Sequence, residues 1–205
     1  MQLYDQYVLP VLLDALCGMK AIEAVRAELI PLARGRVLEI GIGTGRNLPH
    51  YDAAQLGDLC GLDPAAQMNA KAQKRARAKG IDIELLTLSA EKIPAADASF
   101  DTVVSTFTLC TIPDAVAALR EMRRVLKPGG KLLFCEHGTA PDASVRRWQD
   151  RLTPYWKPIA GGCHLNRDIR QLLRAGGFVS ADLQERYLPG PRAMTYVYSG
   201  SAVPA

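Results

Sequence analysis

The stretch "VLEIGIGTGRN" (residues 37–47) decides the fold, because it joins a short apolar run to a turn that holds three glycines. Gly41, Gly43 and Gly45 stand at alternate positions directly after the run. Glycine in such a turn permits positive φ and lets a ligand approach the backbone without meeting a Cβ. The dinucleotide pattern G-x-G-x-x-G would require a third small residue where this chain has Arg46. The turn therefore predicts a small-molecule site and makes a nicotinamide cofactor a poor second choice.

Predicted strands and helices alternate outward from this turn. We expect helices at 65–79, stopped by Gly80, at 114–130, beginning at Asp114 and closed by Pro-Gly-Gly, and at 166–178, capped by Asn166. We expect strands at 36–40, 58–63, 81–88, 100–107, 131–137, 180–188 and 193–200. Such an alternation is typical of α/β proteins. It predicts a doubly wound, mostly parallel seven-stranded sheet with helices on both faces.

The start of the chain differs from this alternating region. Residues 1–33 are predicted to form an N-terminal helical cap, in which leucines recur at helical spacing. Residues 34–205 are predicted to form the main domain, with an aromatic, basic insertion at 138–165 on the substrate side. No apolar stretch reaches the roughly 18 residues of a spanning helix, and the start lacks the basic region of a signal peptide. The expected location is the cytoplasm, with peripheral contact at the inner membrane surface left open.

Composition narrows the classes of partner and site. Hydrophobic residues make up 48% and charged residues 22% of the chain, as in an ordinary globular protein. The formal net charge of +4 is too small to indicate a nucleic-acid partner, so a small-molecule or lipid substrate is expected. The five cysteines are scattered without a C-x-x-C pair, which is typical of reduced thiols and argues against a metal site. Nothing in the pattern fixes an oligomeric state.

Five segments, in this order, resemble the class I S-adenosylmethionine-dependent methyltransferases, most closely their UbiE-type, or type 11, branch. The segments are "VLEIGIGTGRN" (37–47), "GLDPAAQM" (61–68), "LSAEKIP" (88–94), "FDTVVSTFTLCTI" (100–112) and "LREMRRVLKPGGKLLFCEH" (119–137). The resemblance implies a Rossmann-like fold, S-adenosylmethionine as the cofactor and S-adenosylhomocysteine as its product. Glu39 agrees with this, because a carboxylate beside the turn disfavours an anion and favours a ligand with ammonium and sulfonium charge.

The same resemblance implies the cofactor contacts. The glycine turn cradles the methionine part, with Glu39 near its ammonium. Asp63, at the end of the second strand, takes both ribose hydroxyls, a role that can coexist with capping the next helix. Ser89 stands where the family usually has an aspartate for the adenine amino group, so this contact falls to Ala90 or Glu91. The remaining implied contacts are Tyr4, Asn47, Pro64, Met68 and Thr106.

The C-terminal half resembles a narrower group, the methyltransferase-like seven thiol S-methyltransferases. The segments that carry this resemblance are "LCTI" (109–112), "CEHGTA" (135–140), "WQDRLTPYW" (148–156) and "GGCHLNRD" (161–168). Proteins of that group have a hydrophobic N-terminal anchor, whereas this chain has only a short, interrupted apolar helix. Bacterial phospholipid N-methyltransferases share the core and a lipid-facing N-terminal helix, so they stay as an alternative.

His137, at the end of the fifth predicted strand, is the candidate general base, with a structural hydrogen-bonded histidine as its alternative interpretation. The candidate substrate pocket consists of Tyr7, Cys110, Trp148, Trp156 and His164, each with a packing role as its alternative. The basic residues of the insertion suit either solvent or anionic lipid headgroups.

Three functional hypotheses remain open at this point. The first is methylation of a small hydrophobic acceptor by an S-adenosylmethionine-dependent enzyme, with a thiol favoured by the C-terminal resemblance. The second is N-methylation of phosphatidylethanolamine at a membrane surface. The third is a module that binds S-adenosylmethionine without catalysis.

Overall fold

A single seven-stranded sheet forms the centre of the computed structural model, which describes residues 3–205. Its strand order is β3-β2-β1-β4-β5-β7-β6. Strands β1 to β5 run parallel, and β7 lies antiparallel between β5 and β6. The strands are β1 (Gly35–Ile40), β2 (Leu56–Leu62), β3 (Ile83–Leu86), β4 (Phe100–Thr106), β5 (Leu126–His137), β6 (Phe178–Tyr187) and β7 (Tyr196–Pro204). The predicted doubly wound, mostly parallel sheet is confirmed.

Helices cover both faces of this sheet, as predicted. They are α1 (Leu9–Cys17), α2 (Lys20–Leu29), α3 (Asn69–Lys79), α4 (Ala115–Val125), α5 (Ala143–Ile159), α6 (Ile169–Ala175) and α7 (Arg192–Thr195). Successive side chains of a strand point to opposite faces. In β5, Leu132 accordingly packs in one core with α4 and α6, and Leu133 packs in a second core with α2 and α3. No helix among residues 3–205 has the length and apolar character needed to cross a bilayer.

Two predicted helices have wrong ends. The helix expected at 114–130 begins after Asp114, whose side chain accepts the Ala117 N–H, but it stops at Val125. The residue before a proline disfavours helical conformation, so Lys127 before Pro128 is extended and residues 126–130 belong to β5. The helix expected at 166–178 begins at Ile169. Its cap is Asp168 rather than Asn166, because the Asp168 carboxylate accepts the Gln171 N–H.

The boundaries of other elements also shift. The strand expected at 81–88 spans only Ile83–Leu86. The last strand starts at Tyr196 rather than 193, because α7 occupies the preceding residues. Most of the predicted insertion at 138–165 is the helix α5, which contains two prolines. These changes leave the topology as predicted.

The topology brings several strand ends to one edge of the sheet. Strand order reverses between β1 and β4, which are direct neighbours. Ligands of open α/β sheets bind at the carboxyl ends of the strands, beside such a reversal. The glycine turn follows β1, Asp63 follows β2, and His137 ends β5. The glycine turn, Asp63 and His137 therefore lie along this edge.

Candidate functional site

The glycine turn is packed tightly at its ends and open in its middle. All three glycines have positive φ, at 68° for Gly41, 52° for Gly43 and 79° for Gly45. A Cβ at Gly41 would lie 2.1 Å from Thr108 Oγ1, and one at Gly45 would lie 2.5 Å from a Leu48 methyl. At Gly43 the nearest atoms would be Met68 Sδ at 3.5 Å and Asp63 Oδ2 at 3.9 Å, which is ordinary contact. The middle of the turn thus faces an open cradle beside Met68 and Asp63.

Asp63 borders this cradle with a carboxylate that the backbone holds in place. Its Oδ2 accepts the Gly43 N–H at 2.9 Å, and its Oδ1 accepts the Ala65 N–H at 2.8 Å. Burial raises the pKa of this carboxyl, while the two amide bonds oppose the shift. Each carboxylate oxygen accepts more than one hydrogen bond. The bond to Ala65 shapes the next turn and leaves capacity for two further donors such as ribose hydroxyls.

Glu39 is buried beneath the turn and is engaged by protein groups. Its Oε1 accepts from Asn47 Nδ2 at 3.0 Å, and its Oε2 accepts from the Tyr51 hydroxyl at 2.8 Å. Arg26, also buried, donates to Asn47 and to Thr106 Oγ1. Burial raises the pKa of Glu39 to about 7 against the opposing influence of the Tyr51 bond and the Arg26 charge. The predicted contact of Glu39 with an ammonium group therefore stays a prediction.

The raised pKa of Glu39 has a consequence for stability. The folded-state pKa of about 7 exceeds the ordinary value of 4.5, so the folded state holds this proton more tightly. The resulting stabilisation is complete below about pH 4.5 and is lost as the pH rises through about 7. We expect the free energy of unfolding of the wild type, relative to Glu39→Gln, to fall by up to about 3 kcal/mol from pH 4.5 to 8. Urea unfolding across this range measures it, and a constant difference between the two proteins would contradict it.

A second polar network, centred on Asp14 of α1, supports the turn from outside. Asp14 Oδ1 accepts from Thr44 Oγ1 at 2.6 Å, from Arg46 Nε at 2.8 Å and from Arg75 Nη1 at 3.0 Å. Arg75 also donates to the Thr44 carbonyl at 2.7 Å. Burial opposes ionisation, but the bonds from Arg75, Thr44 and Arg46 hold the pKa of Asp14 well below its usual range. The network joins α1, the glycine turn and α3.

On the acceptor side, three residues form what we call the Cys-His-Cys cluster: Cys110, His137 and Cys163. His137 Nε2 lies 3.0 Å from Cys163 Sγ, and Trp156 Nε1–H donates to the same sulfur at 3.2 Å. The Cys110 sulfur lies with the other two groups inside a 4.8 Å limit. A hydrogen bond from Cys110, together with His137 and Trp156, lowers the pKa of Cys163 although burial opposes this shift. The cluster thus consists of two buried cysteines and a half-buried histidine.

The loop that carries Cys110 is held by a buried carboxylate. Glu136 Oε1 accepts the N–H groups of Thr108 and Leu109 at 3.0 and 3.1 Å, and the Ser105 hydroxyl at 2.9 Å. Phe107, just before this loop, has a positive φ of 54°, which is rare for a bulky residue and marks strain. Its ring lies edge-on to His137 with centroids 6.3 Å apart. Neither Glu136 nor Phe107 is predicted as a site residue from the sequence.

Some predicted pocket residues lie elsewhere. Trp148 is 57% exposed on α5 with the Arg151 guanidinium 5.8 Å over its ring, and Tyr7 is 63% exposed. Neither joins the cluster, because both face solvent. The Tyr4 hydroxyl donates to the Ile159 carbonyl at 2.7 Å. This bond ties the N-terminal helical turn (Tyr4–Val8) to the end of α5, so the Tyr4 hydroxyl does not cover the glycine turn.

The adenine-side candidates divide in a similar way. Ala90 is buried in the core, whereas Pro64 and Ser89 are exposed. The Ser89 hydroxyl donates to Glu91 Oε2 at 2.9 Å, and Glu91 Oε1 accepts the Asp114 N–H at 2.8 Å. Both polar candidates for the adenine contact are therefore engaged with the protein.

A groove of about 760 Å³ adjoins the Cys-His-Cys cluster. Its walls include Pro154 and Pro158 of α5 and His164, the residue after Cys163. His164 belongs to the cluster's surroundings, because its Nδ1 lies 3.1 Å from the Cys110 carbonyl. The groove reaches the cluster's neighbour His164, and none of the three cluster residues lines it. Its walls combine the two prolines with charged side chains such as Asp150 and Lys157.

Comparisons with known proteins identify the family. A family profile described as a methyltransferase domain matches residues 38–134. Thiol S-methyltransferase TMT1B of Homo sapiens is 33% identical over 174 residues, which cover 79% of this chain and 70% of that protein. Its Rattus norvegicus counterpart is also 33% identical, over 76% of this chain and 64% of that protein, which is just under two thirds of its length.

Two further proteins complete the comparison. Phosphatidylethanolamine N-methyltransferase of Cereibacter sphaeroides is 34% identical over 105 residues, covering 50% of this chain and 51% of that protein. The crystal structure of an S-adenosylmethionine-dependent methyltransferase from Thermotoga maritima superposes with a TM-score of 0.68 at 21% identity, over 98% of both chains. This structural likeness shows the fold.

Proposed function

We propose a function from one premise: the chain belongs to the class I S-adenosylmethionine-dependent methyltransferases. The acceptor we propose is the thiol of a small hydrophobic molecule, which the enzyme methylates on sulfur. The observation that carries the proposal is the contact between His137 and Cys163 at the end of β5, beside the groove. The names of the thiol S-methyltransferase relatives support the same acceptor.

The residues around the glycine turn suit the cofactor. The cradle at Gly43 admits a ligand that a Cβ would partly exclude, and Asp63 presents a held carboxylate to it. Glu39 adds a buried acid beneath the turn. When bound, S-adenosylmethionine supplies an electrophilic methyl group on a sulfonium sulfur.

The acceptor side has the groups that a thiol needs. A thiol reacts through its thiolate, so a nearby base or positive charge assists it. His137 is the proposed base. Its Nε2 contacts Cys163 Sγ at 3.0 Å and would exchange that contact for the S–H of the acceptor, because its Nδ1 is buried. The sulfur then forms a bond to the methyl carbon while the bond from that carbon to the sulfonium sulfur breaks. Pro154 and Pro158 in the groove wall would pack against the rest of a hydrophobic acceptor.

The test compares acceptors that differ in one atom. Methyl transfer from labelled S-adenosylmethionine is measured with a short alkyl thiol, the matching alcohol and the matching amine. Product from the thiol alone supports the proposal. Product from the amine or alcohol instead would overturn it, and cofactor binding without any product would favour the non-catalytic module.

A membrane lipid is the second candidate acceptor, because one specific surface favours it. Exposed apolar side chains lie at the N-terminal helical turn, in α1 and along α5. They are Leu3, Tyr7 and Val8 at the turn, Val11 in α1, and Trp148, Leu152, Tyr155 and Ile159 in α5. The Tyr4–Ile159 hydrogen bond joins the two segments. Arg146, Arg147 and Arg151 on α5 would suit the anionic headgroups of a bilayer. Vesicles of phosphatidylethanolamine and an anionic lipid test this candidate. Co-sedimentation of the protein with the vesicles and transfer of the labelled methyl group to the lipid would support it. Failure of both would rule it out.

Asp63 gives a direct test of the cofactor site. We expect Asp63→Ala to weaken S-adenosylmethionine binding by about 1–3 kcal/mol, since charged hydrogen bonds to the ribose would be lost. Calorimetric titration measures the affinity, and Asp82→Ala is the control, because Asp82 is an exposed acid at the start of another strand. Unchanged affinity in Asp63→Ala would place the cofactor elsewhere.

A further inference from the structure

We propose that Cys110, His137 and Cys163 form a binding site for one thiophilic divalent cation, with zinc as the expected occupant. The loop after β4, the end of β5 and the loop after α5 each contribute one ligand. Their sulfur and nitrogen atoms all lie within 4.8 Å of one another. The inference deepens the proposed function and rests on it, because the bound cation would hold the acceptor thiol.

The distances in the cluster come within about 1 Å of those around a tetrahedral ion. With Zn–S near about 2.3 Å and Zn–N near about 2.0 Å, tetrahedral angles place neighbouring ligand atoms roughly 3.5–3.8 Å apart. His137 Nε2 and Cys163 Sγ are now 3.0 Å apart, so the imidazole needs to withdraw by roughly half an ångström. Two cysteines and one histidine are a ligand set of catalytic zinc sites, which leave the fourth position to water or substrate.

The surroundings of the cluster favour a bound cation. Trp156 Nε1–H donates to Cys163 Sγ at 3.2 Å and would stabilise a metal-bound thiolate. The backbone of Cys110 is fixed, because its carbonyl accepts the His164 N–H at 2.9 Å. His137 Nδ1 is buried and has no hydrogen-bond partner among residues 3–205. The imidazole is therefore held only through Nε2, and the small withdrawal breaks no other hydrogen bond.

A cation here would meet the main chemical need of the reaction, which is a thiolate at neutral pH. A coordinated thiol is deprotonated, so the acceptor would lose its S–H proton to solvent as the sulfur–metal bond forms. Its lone pair then forms the S–CH₃ bond, and the electron pair of the breaking methyl–sulfonium bond stays on the sulfur of S-adenosylhomocysteine. The cation would take over the proton-removing task assigned above to His137. It would also select thiols over alcohols and amines, because zinc favours thiolate ligands.

Cobalt binding tests the site without relying on activity. The full chain, free of any affinity tag, is treated with a chelator, reduced and titrated with Co²⁺. We expect one Co²⁺ per chain, a near-ultraviolet thiolate-to-cobalt band, the visible bands of tetrahedral Co²⁺, and displacement by one equivalent of Zn²⁺. Absence of a thiolate band, or binding well below one equivalent, would overturn the proposal.

Variants locate the binding. Cys110→Ser, Cys163→Ser and His137→Gln should each weaken Co²⁺ binding by more than about 100-fold, because each removes a direct ligand. The control is Cys60→Ser, since Cys60 in β2 has the same 6% exposure as Cys163 but lies outside the cluster. Binding that survives the cluster variants, or that falls equally in Cys60→Ser, would overturn the assignment. Circular dichroism of each variant serves to check that it is folded.

The two proposals fail in different ways. If the chelated chain still methylates the alkyl thiol at the wild-type rate and Co²⁺ does not bind, the metal site is wrong and thiol methylation stands. If one Co²⁺ binds through both thiolates but no thiol is methylated, the metal site stands and the thiol acceptor is wrong. Loss of thiol turnover on chelation and its return with Zn²⁺ would support both.

Discussion

Replacing His137 by alanine should lower the turnover of methyl transfer by about 100- to 10,000-fold, the range that a positioned proton-transfer group contributes. The side chain ends β5 and lies 3.0 Å from Cys163, on the acceptor side of the sheet edge. The cofactor candidates lie across the reversal point, at the ends of β1 and β2. The affinity for S-adenosylmethionine should therefore stay unchanged. Single-turnover transfer of label and calorimetric titration measure the two quantities separately.

The control for this experiment is another histidine. His50 pairs with Glu23 through Nε2 at 2.8 Å and ends the short helix Leu48–His50 that follows the glycine turn. His50→Ala should keep the wild-type turnover. If His137→Ala also keeps full turnover, His137 is a structural histidine and takes no part in removing the proton. If His137→Ala also lowers the affinity for S-adenosylmethionine, then the acceptor side and the cofactor side of the site are not separate.

Gly41→Ala should have the largest effect on stability, a loss of about 2–4 kcal/mol. Its φ of 68° strains any residue that has a side chain. In addition, the new Cβ would lie 2.1 Å from Thr108 Oγ1 and 2.7 Å from Thr108 Cβ. Thr108 has little room to move, because its N–H is bonded to buried Glu136 at 3.0 Å. Urea unfolding followed by circular dichroism measures the loss.

Two other glycines separate strain from collision. Gly80 has a similar φ of 65° with nothing within 4 Å of its Cβ position, so Gly80→Ala should show the strain alone, about 1 kcal/mol. Gly43→Ala should unfold like Gly80→Ala but bind S-adenosylmethionine more weakly, because its Cβ would enter the cradle. Equal stability of Gly41→Ala and Gly80→Ala would show that Thr108 yields at no cost.

The sheet could be predicted because its determinants are local. Each parallel strand is a short apolar run bounded by turn residues, and β1 leads directly into glycines with positive φ. The C-terminal end of α4 and the N-terminal end of α6 were harder to predict. Lys127 and Pro128 follow a helical pattern, yet they lie in β5 where its pairing with β4 passes from Leu126 to Lys131. Asp168 competed with Asn166 for the role of cap. The end of α4 depends on the pairing of β5 with its partner strand, and the start of α6 depends on a single hydrogen bond from a capping side chain.

The Cys-His-Cys cluster could not be predicted from spacing. Its members are 27 and 26 residues apart along the chain (110 to 137, and 137 to 163), so no short motif contains two of them. They meet because β4 and β5 are neighbours and because α5 returns its loop to the same edge. The expectation of no metal site rested on the missing C-x-x-C pair, which is a property of sequence and not of space. Glu136 was missed for the same reason.

Asp14 links the first helix, α1, to ligand binding at the glycine turn. It joins α1 to Thr44, inside the glycine turn, and to Arg75 of α3. We therefore expect a ligand that rigidifies the turn to stabilise the attachment of α1 to it. By reciprocity, detaching α1 should lower the affinity for the ligand. A protease that cuts near the start of the chain, or amide exchange in α1, would read out cofactor occupancy from outside the sheet. The N-terminal segment and the ligand thus share a single equilibrium.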